Sequence, residues 1–417
     1  MANNILFLTP QLPYPPCKGT ALRNWGLIAG LARRHRVSLL SFLSPGQDAF
    51  LCRGKGKRGD FSPPPPLAAA CARVEVVPHP TRTLARRLRD LALTHQPDMA
   101  LRLASETFAR RLEDWLAEES FDIVHVEGIE LAPYLDAIEA ARPRPLVVFD
   151  DHNCEYLLQR RVFLTDSRAP IRWPGAAYSF VQWRRLRRYE AQVCRRADRV
   201  LAVSEADAGA LQELVSGLDV AVVPNGIDSR VYQVGKRPPS WMPKDALVFT
   251  GTMNFRPNVD AVLWFAREVL PLVQAQVPQT HFFVVGQHPH RRLDVLRRDS
   301  AVTLTGWVED VRPYIGGASV YVAPLRTGGG TRLKLLEAMA MERAVVTTRL
   351  GAEGYPVTHG RELLLADQPA DFAAAVVALL RAPERRAELG QAARSFVERR
   401  YDWRVIIPQV EAAYRSA

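Results

Sequence analysis

Val320-Tyr321-Val322-Ala323-Pro324-Leu325-Arg326-Thr327-Gly328-Gly329-Gly330-Thr331-Arg332-Leu333-Lys334-Leu335-Leu336-Glu337-Ala338-Met339-Ala340 is the stretch on which the reading of this chain turns. It opens on an apolar run that reads as a buried strand. Three glycines follow, and then apolar residues at 333, 336 and 340, spaced as on one face of a helix. Arg332 and Lys334 fall in the first turn of that helix, where cations oppose the helix dipole at a cost of about 0.3–1 kcal/mol each. A phosphate resting on the exposed backbone N–H groups would offset that cost. A strand, a glycine loop and a cationic helix start together predict a diphosphate site.

The same alternation extends in both directions. Upstream, apolar runs over 5–8, 37–42, 74–77, 123–126, 146–149, 200–203 and 220–223 read as strands, with helical patterns between most of them. A second series runs over 247–250, 281–286, 302–305, 319–323, 344–348 and 363–365, with helical patterns at 259–272, 333–341 and 371–380. Such alternation predicts α/β architecture with parallel, doubly wound sheets. Residues 1–228 form the first half, 229–243 a proline-bearing linker and 244–400 the second half. Residues 401–417 are a last helical segment, expected to pack back on the first half. Ligands of such sheets bind beyond the carboxyl ends of the strands, so two halves facing a cleft would offer two substrate sites.

At 417 residues the chain is too long for one compact core. Its 47% hydrophobic and 24% charged content is that of a globular protein. No apolar run reaches the ~18–20 residues that span a bilayer. Met1-Ala2-Asn3-Asn4 lacks the basic start of a signal peptide, and a cytoplasmic location is expected. Cys17, Cys52, Cys71, Cys154 and Cys194 are scattered and odd in number, which predicts neither a disulfide framework nor a zinc site.

The net charge of +11 is shared by both halves and comes with no aromatic-basic module, so no nucleic-acid partner is expected. An anionic substrate or an anionic membrane surface accounts for its sign. Arg184, Arg185, Arg187, Arg188, Arg195, Arg196 and Arg199 cluster on a helical pattern whose apolar stripe is Leu186, Tyr189, Val193 and Ala197. That charge reads as a solvated helix face or as a face lying on anionic lipid. Residues 46–66, with four consecutive prolines at their end, read as an exposed loop.

Taken together, the 328–340 run, Ala344-Val345-Val346-Thr347, Val203-Ser204-Glu205, Val223-Pro224-Asn225-Gly226-Ile227-Asp228, Phe249-Thr250-Gly251 and Gly306-Trp307-Val308-Glu309-Asp310-Val311 resemble family-4-like glycosyltransferases of the GT-B fold. The resemblance spans essentially the whole chain. It is nearest to sugar transferases encoded with bacterial exopolysaccharide systems of the PEP-CTERM/EpsH type. It implies two Rossmann-like domains, with the acceptor on the first and a nucleotide-sugar donor on the second. The implied reaction is retaining transfer to a glycan or lipid-linked glycan, with no bound metal and no other cofactor.

Under that resemblance Glu337 matches the carboxylate that accepts from the ribose hydroxyls, and Lys334 the diphosphate cation, assisted by the Thr331 and Leu333 backbone. Arg256 falls where the family has a second diphosphate cation, and Val308 where the backbone meets the base. Gly19 matches a loop that approaches the donor. His152 matches a histidine near the reacting sugar, with Asp151 as its neighbour, and both are candidate catalytic groups. His125 reads as a satisfied histidine at a sheet edge. The pattern departs at one place. Gly329 stands where the family has a first glutamate near the transferred sugar, leaving that sugar to the backbone of Gly329 and Gly330 and to Thr331 or Arg332. The implied mechanism is front-side substitution. A nucleotide-sugar epimerase and a catalytically silent nucleotide-binding subunit remain as alternatives.

Overall fold

The computed structural model describes residues 2–16, 19–44, 47, 61–233, 235 and 238–415. Cys17, Cys52 and most of the proline-rich 46–66 segment lie outside the described residues. The chain divides into two compact units, residues 1–224 with 406–417, and residues 225–405.

In the first unit seven strands form one parallel sheet. They are β1 (Asn4–Thr9), β2 (Arg36–Leu43), β3 (Arg73–Pro78), β4 (Ile123–Glu127), β5 (Leu146–Asp151), β6 (Arg199–Ala202) and β7 (Val220–Val222), in the order β3-β2-β1-β4-β5-β6-β7. β1 pairs with β2 on one side and β4 on the other, so the winding reverses between β1 and β4. The interior strands carry almost unbroken apolar runs because helices cover both faces of the sheet. Phe42 stacks on Phe108 with centroids 4.4 Å apart, inside a core that includes Trp115, Val124 and Phe149. Burying each such side chain contributes about 1.5–3 kcal/mol. The last helix, Trp403–Arg415, brings Ile407 against Gly30 of the helix Gly19–Leu31.

The second unit repeats the plan with six strands: β8 (Ala246–Thr250), β9 (His281–Val285), β10 (Val302–Gly306), β11 (Val320–Ala323), β12 (Val345–Thr347) and β13 (Leu364–Leu365). Their order is β10-β9-β8-β11-β12-β13, again parallel, and the reversal lies between β8 and β11. Phe265 and Phe282 meet at 4.6 Å and Phe372 closes on Phe265 at 5.7 Å within its core. Residues 225–228 lie with this unit, where Ile227 N–H donates to Tyr401 O (2.8 Å) and Trp403 N–H to Ile227 O (3.2 Å).

The elements follow the apolar pattern closely, with one local difference. The helical stretch expected over 259–272 is Arg256–Trp264 and Leu270–Gln274, joined by a π-helical turn, Phe265–Val269. Pro271 has no N–H to give the carbonyl four residues back, and the widened turn sits just ahead of it. No helix among the described residues is long and apolar enough to cross a membrane.

Candidate functional site

In the second unit the β8–β11 reversal opens onto two loops. Thr250 Oγ1 and Tyr321 Oη lie 2.7 Å apart and tie the two strands together. After β8 the chain turns through Gly251, whose φ of +154° suits glycine. A Cβ there would lie 2.8 Å from both Lys334 Nζ and Asn258 Nδ2, so the missing side chain makes room for an amine. After β11 the loop passes Gly328 (φ +99°) and Gly330 (φ +76°) into the helix Leu333–Ala340.

Lys334 donates to Asn258 Oδ1 at 2.9 Å and stands 4.1 Å from the Phe249 ring centre, a cation–π distance. Burial, helped by the positive Arg332 and opposed by Glu337, pushes the Lys334 ammonium down to about 7. Among the described residues its direct partners are one amide oxygen and one ring face, so an arriving anion would find a cation short of countercharge. Glu337, three residues on and so on the same helix face, accepts from Tyr232 Oη at 3.0 Å. Burial raises its carboxyl, against the Tyr232 hydrogen bond and Lys334. Thr331 Oγ1 accepts from Asn225 Nδ2 at 2.7 Å, and Arg332 donates to Gly329 O. Leu333 is the first helical residue and is half-buried. Arg256, exposed, begins the helix that carries Asn258 two residues later. Val308 is partly buried against the core of this unit. The structure therefore brings Thr331, Lys334 and Glu337 into one neighbourhood with Asn258, Asn225 and Tyr232, three residues to which the sequence reading gave no role in the site.

In the first unit the carboxyl ends of β4 and β5 hold a charged cluster. Arg23, from the first helix, embraces Asp150 through Nη2–Oδ2 (2.7 Å), Nη2–Oδ1 (2.9 Å) and Nε–Oδ2 (3.0 Å), and donates through Nη1 to Val223 O (3.0 Å). His125 Nε2 lies 3.1 Å from Glu127 Oε1 and 3.3 Å from Asp150 Oδ2, and its Nδ1 is 2.6 Å from Tyr414 Oη. Glu127 also accepts from His152 Nε2. With its amide nitrogen turned toward acceptors, Asn24 donates to Glu127 Oε2 (2.8 Å) and Thr20 O (3.1 Å). His125 thus lies in the middle of the sheet, on a strand flanked by β1 and β5, and not at an edge as its sequence context suggested.

Burial works against protonation of His125, yet Asp150 and Glu127 raise it to about 8. Asp150 is held well below the usual carboxylate range: burial raises it, and Arg23 and the histidines more than reverse that. Glu127 is also lowered, the histidines outweighing burial and the nearby Asp150. His152 is raised, Glu127 overcoming burial. With His125 protonated, Arg23 and His125 balance Asp150 and Glu127. His152 is then the group whose proton changes the charge of the cluster. It is also the member in reach of solvent, with its side chain 15% exposed against 0–1% for Arg23, His125, Glu127 and Asp150.

Asp151 points elsewhere. It is buried at the end of β5 and hydrogen-bonds Glu190, which accepts from the Glu155 and Tyr156 N–H groups at 2.8 and 2.9 Å. Burial, with Glu190 nearby, raises the Asp151 carboxyl well above its ordinary range, and burial lifts Glu190 to about 7. The two share a proton and fasten the start of the helix Glu155–Asp166. Gly19 is exposed at the first residue of its helix. Among the described residues, two groups of side chains are close enough to hold a metal ion, His125–Glu127–Asp150 and Asp151–Cys154–Glu190. In the first, Arg23 and the raised His125 already meet the carboxylate charge. In the second, the shared proton does so.

The family models agree with this division. A glycosyltransferase family 4 model matches residues 18–231, and a model of group 1 glycosyl transferases matches residues 244–382. The chain belongs to the family 4 glycosyltransferases. Among relatives of this glycosyltransferase are phosphatidyl-myo-inositol mannosyltransferases. One from Propionibacterium freudenreichii subsp. shermanii is 26% identical over 313 residues, and one from Mycolicibacterium smegmatis 28% over 318 residues, each match covering 74% of both chains. A 44.6 kDa protein of the Klebsiella pneumoniae cps region is 23% identical over 172 residues, 39% of this chain and 44% of that one. The chain spans less than half the length of this last relative. Among solved structures, Anabaena HepE in complex with UDP and glucose superposes with a TM-score of 0.67 at 15% identity, covering all of both chains. Sucrose-phosphate synthase of Thermosynechococcus elongatus gives 0.68 at 16% identity, covering 99% of this chain and 98% of that one. At these identities the likeness is one of fold, and the fold is GT-B.

Proposed function

We propose that this glycosyltransferase moves a sugar from a nucleoside diphosphate sugar to a hydroxyl of a glycan or lipid-linked glycan, with retention at the anomeric carbon, in exopolysaccharide or cell-surface polysaccharide synthesis. The observation that carries the reading is the Lys334 amine lodged beside Gly251 and Asn258, one helical turn before Glu337, at the strand-order reversal of the second sheet. A diphosphate would supply the countercharge that Lys334 lacks, and a ribose diol suits the Glu337 carboxylate. HepE bound to UDP and the lipid-directed mannosyltransferases support the choice of donor and acceptor classes.

The acceptor oxygen attacks the anomeric carbon on the face from which the diphosphate departs. The new C–O bond forms as the bond to the β-phosphate oxygen breaks, and the acceptor proton passes to that oxygen. Lys334, Arg256 and the N–H groups at the helix start hold the charge of the leaving group, as preorganised donors do. The Gly329 and Gly330 backbone with Thr331 meets the sugar, Leu333 N–H assists at the diphosphate, the Val308 backbone faces the base, and the Gly19 loop approaches the donor. His152, held by Glu127, is the polar group near the reacting carbon, and Asp151 keeps its loop in place through Glu190. Transfer proceeds without a bound metal, so chelation with EDTA should leave the rate unchanged.

The test is a panel of nucleotide sugars ranked by thermal shift, followed by product analysis with and without acceptor. Retained configuration in a glycosylated acceptor is expected. Epimerised sugar formed from donor alone, or a fully active Lys334→Ala enzyme, would overturn the reading.

A further inference from the structure

In the second unit, the chain after Asp228 makes a tight turn. Val231 N–H and Tyr232 N–H both donate to Asp228 O, at 3.0 and 3.1 Å. The turn is tied down from two directions. Ser229 donates through its N–H (3.2 Å) and its Oγ (2.6 Å) to Oδ2 of the buried Asp402. Arg312, the first residue of the helix Arg312–Gly317, donates through Nη1 to Val231 O (3.2 Å) and through Nε to Asp310 Oδ1 (2.7 Å). So held, the turn delivers one side chain, Tyr232, to the helix Leu333–Ala340, where its hydroxyl donates to Glu337 Oε1 at 3.0 Å.

The half-buried Tyr232 ring packs against the same apolar cluster as Val308 and Leu333. A phenylalanine would serve that packing equally, so the hydroxyl needs its own reason. Among the described residues its one hydrogen-bond partner is Glu337. Glu337 in turn receives a hydrogen bond on Oε1 alone among those residues, which leaves Oε2 to accept from a further donor. A helical glutamate has three side-chain torsions, and a carboxylate that swings among rotamers cannot meet two hydroxyls of one ring together. The bond from Tyr232 selects one setting. It also favours charge: burial raises the Glu337 carboxyl, and the Tyr232 hydrogen bond and then Lys334 oppose that rise. Tyr321 of β11 and Tyr355 also lie near the carboxylate without bonding it, and Arg312 and Asp310 face Tyr232 itself.

We propose that Tyr232 is a positioning residue of the nucleotide-sugar site, its hydroxyl setting the Glu337 carboxylate so that the second oxygen accepts from the ribose diol. The inference rests on the reading of Glu337 as the ribose carboxylate and adds a residue whose action passes through it. Without the bond from Tyr232, the diol would have to order the carboxylate itself, and binding would carry that cost. The tether through Arg312 gives both parts of a nucleoside a common support, because Asp310 and Arg312 follow closely on Val308, the residue proposed to face the base.

The experiment measures by calorimetry the binding of UDP and of GDP, each beside its 2′,3′-dideoxy analogue, to the full chain as wild type and as Tyr232→Phe. Wild type is expected to prefer the ribo form of the nucleotide it binds. The Phe variant should lose about five- to tenfold of that preference, the worth of one hydrogen bond of ordinary strength. The dideoxy form should bind both proteins equally, since the ring packing and the diphosphate site are untouched. On the acid side, the loss of ribonucleotide binding should move to higher pH in the variant, whose carboxylate has lost a donor that favours its charged form. A role in packing alone would not move that profile. A ribose preference and an acid limb that Tyr232→Phe leaves as in wild type would overturn the proposal while the donor site stands. Wild type that binds neither nucleotide, or binds ribo and dideoxy forms alike, would overturn the ribose reading of Glu337 and this proposal with it.

Discussion

Lys334 is an amine enclosed by Phe249, Asn258 and the space left by Gly251, with burial and Arg332 holding its ammonium down to about 7. A diphosphate at that amine favours the protonated form. Nucleotide binding should therefore take up a proton, be tightest below pH 7, and weaken up to about tenfold per unit as pH rises above it. Calorimetry of UDP binding in buffers of different ionisation enthalpy checks both points. Lys334→Ala should weaken binding by about ten- to a hundredfold, the worth of a charge-assisted hydrogen bond of ~1.5–3 kcal/mol, and should flatten the pH profile. In the first unit Glu127 matters in the same way, because two histidines and Asn24 converge on it. Glu127→Gln should lower kcat far more than it raises KM for the donor. An unchanged kcat would remove His152 from the chemistry, since an uncharged amide cannot hold a histidinium.

At the scale of elements, glycines mark where one segment presses on another. Gly30 lies under Ile407, and a Cβ there would come within 2.3 Å of Ile407 Cδ1. Gly30→Ala is expected to destabilise by about 1–3 kcal/mol, as overpacking does, and Ile407→Val should recover part of that in the double variant. Denaturant unfolding of the four proteins measures the coupling, and strict additivity would mean that the last helix does not press on the first. Gly286 is more demanding: its Cβ would fall 1.7 Å from the Gly251 carbonyl oxygen, a backbone atom that cannot swing aside. These contacts explain conformations that strand and helix patterns leave blank. The apolar periodicity foretold thirteen strands and most helices, because burial on both faces of a parallel sheet writes itself into consecutive residues. It did not foretell that the helix Leu84–Leu93 buries none of its residues, because partners that hold it, Arg82 and Asp98 among them, lie outside it.

For the molecule as a whole, the buried charges set a pH signature. His125 is raised from its unfolded value to about 8 despite burial, so the native state holds a proton that the unfolded chain releases. The stabilisation is full below about pH 6.5 and is lost as pH rises through about 8, for about 2 kcal/mol. Glu190, raised to about 7 by burial, has the same sign, since the native state keeps its proton between ~4.5 and ~7 where the unfolded chain has lost it. Lys334 acts in the opposite sense above pH 7. Comparing unfolding free energies at about pH 6 and about pH 9 for wild type and His125→Asn isolates the histidine, and the variant should show the shallower decline.

The two sites differ in how much of them is local. Lys334 and Glu337 sit three residues apart on one helix after a glycine loop, so a single stretch held the donor-side cation, carboxylate and backbone N–H groups. Asn258, Tyr232 and Asn225 reach that helix and the loop before it from 76 to 106 residues away, and no local spacing marks them. Apart from His125 and Glu127, two residues apart on one strand, the cluster is assembled at long range: Arg23 meets Asp150, His125 meets Tyr414, and His152 meets Glu127. By itself the sequence determined two doubly wound parallel sheets and a phosphate-ready helix start, because periodicity, glycines and first-turn charge are properties of neighbouring residues. Tertiary structure alone decided which buried charges neutralise one another, which histidine is left to change its proton, and which face of a helix meets the outside. Those outcomes depend on groups that only the fold brings within a few ångströms.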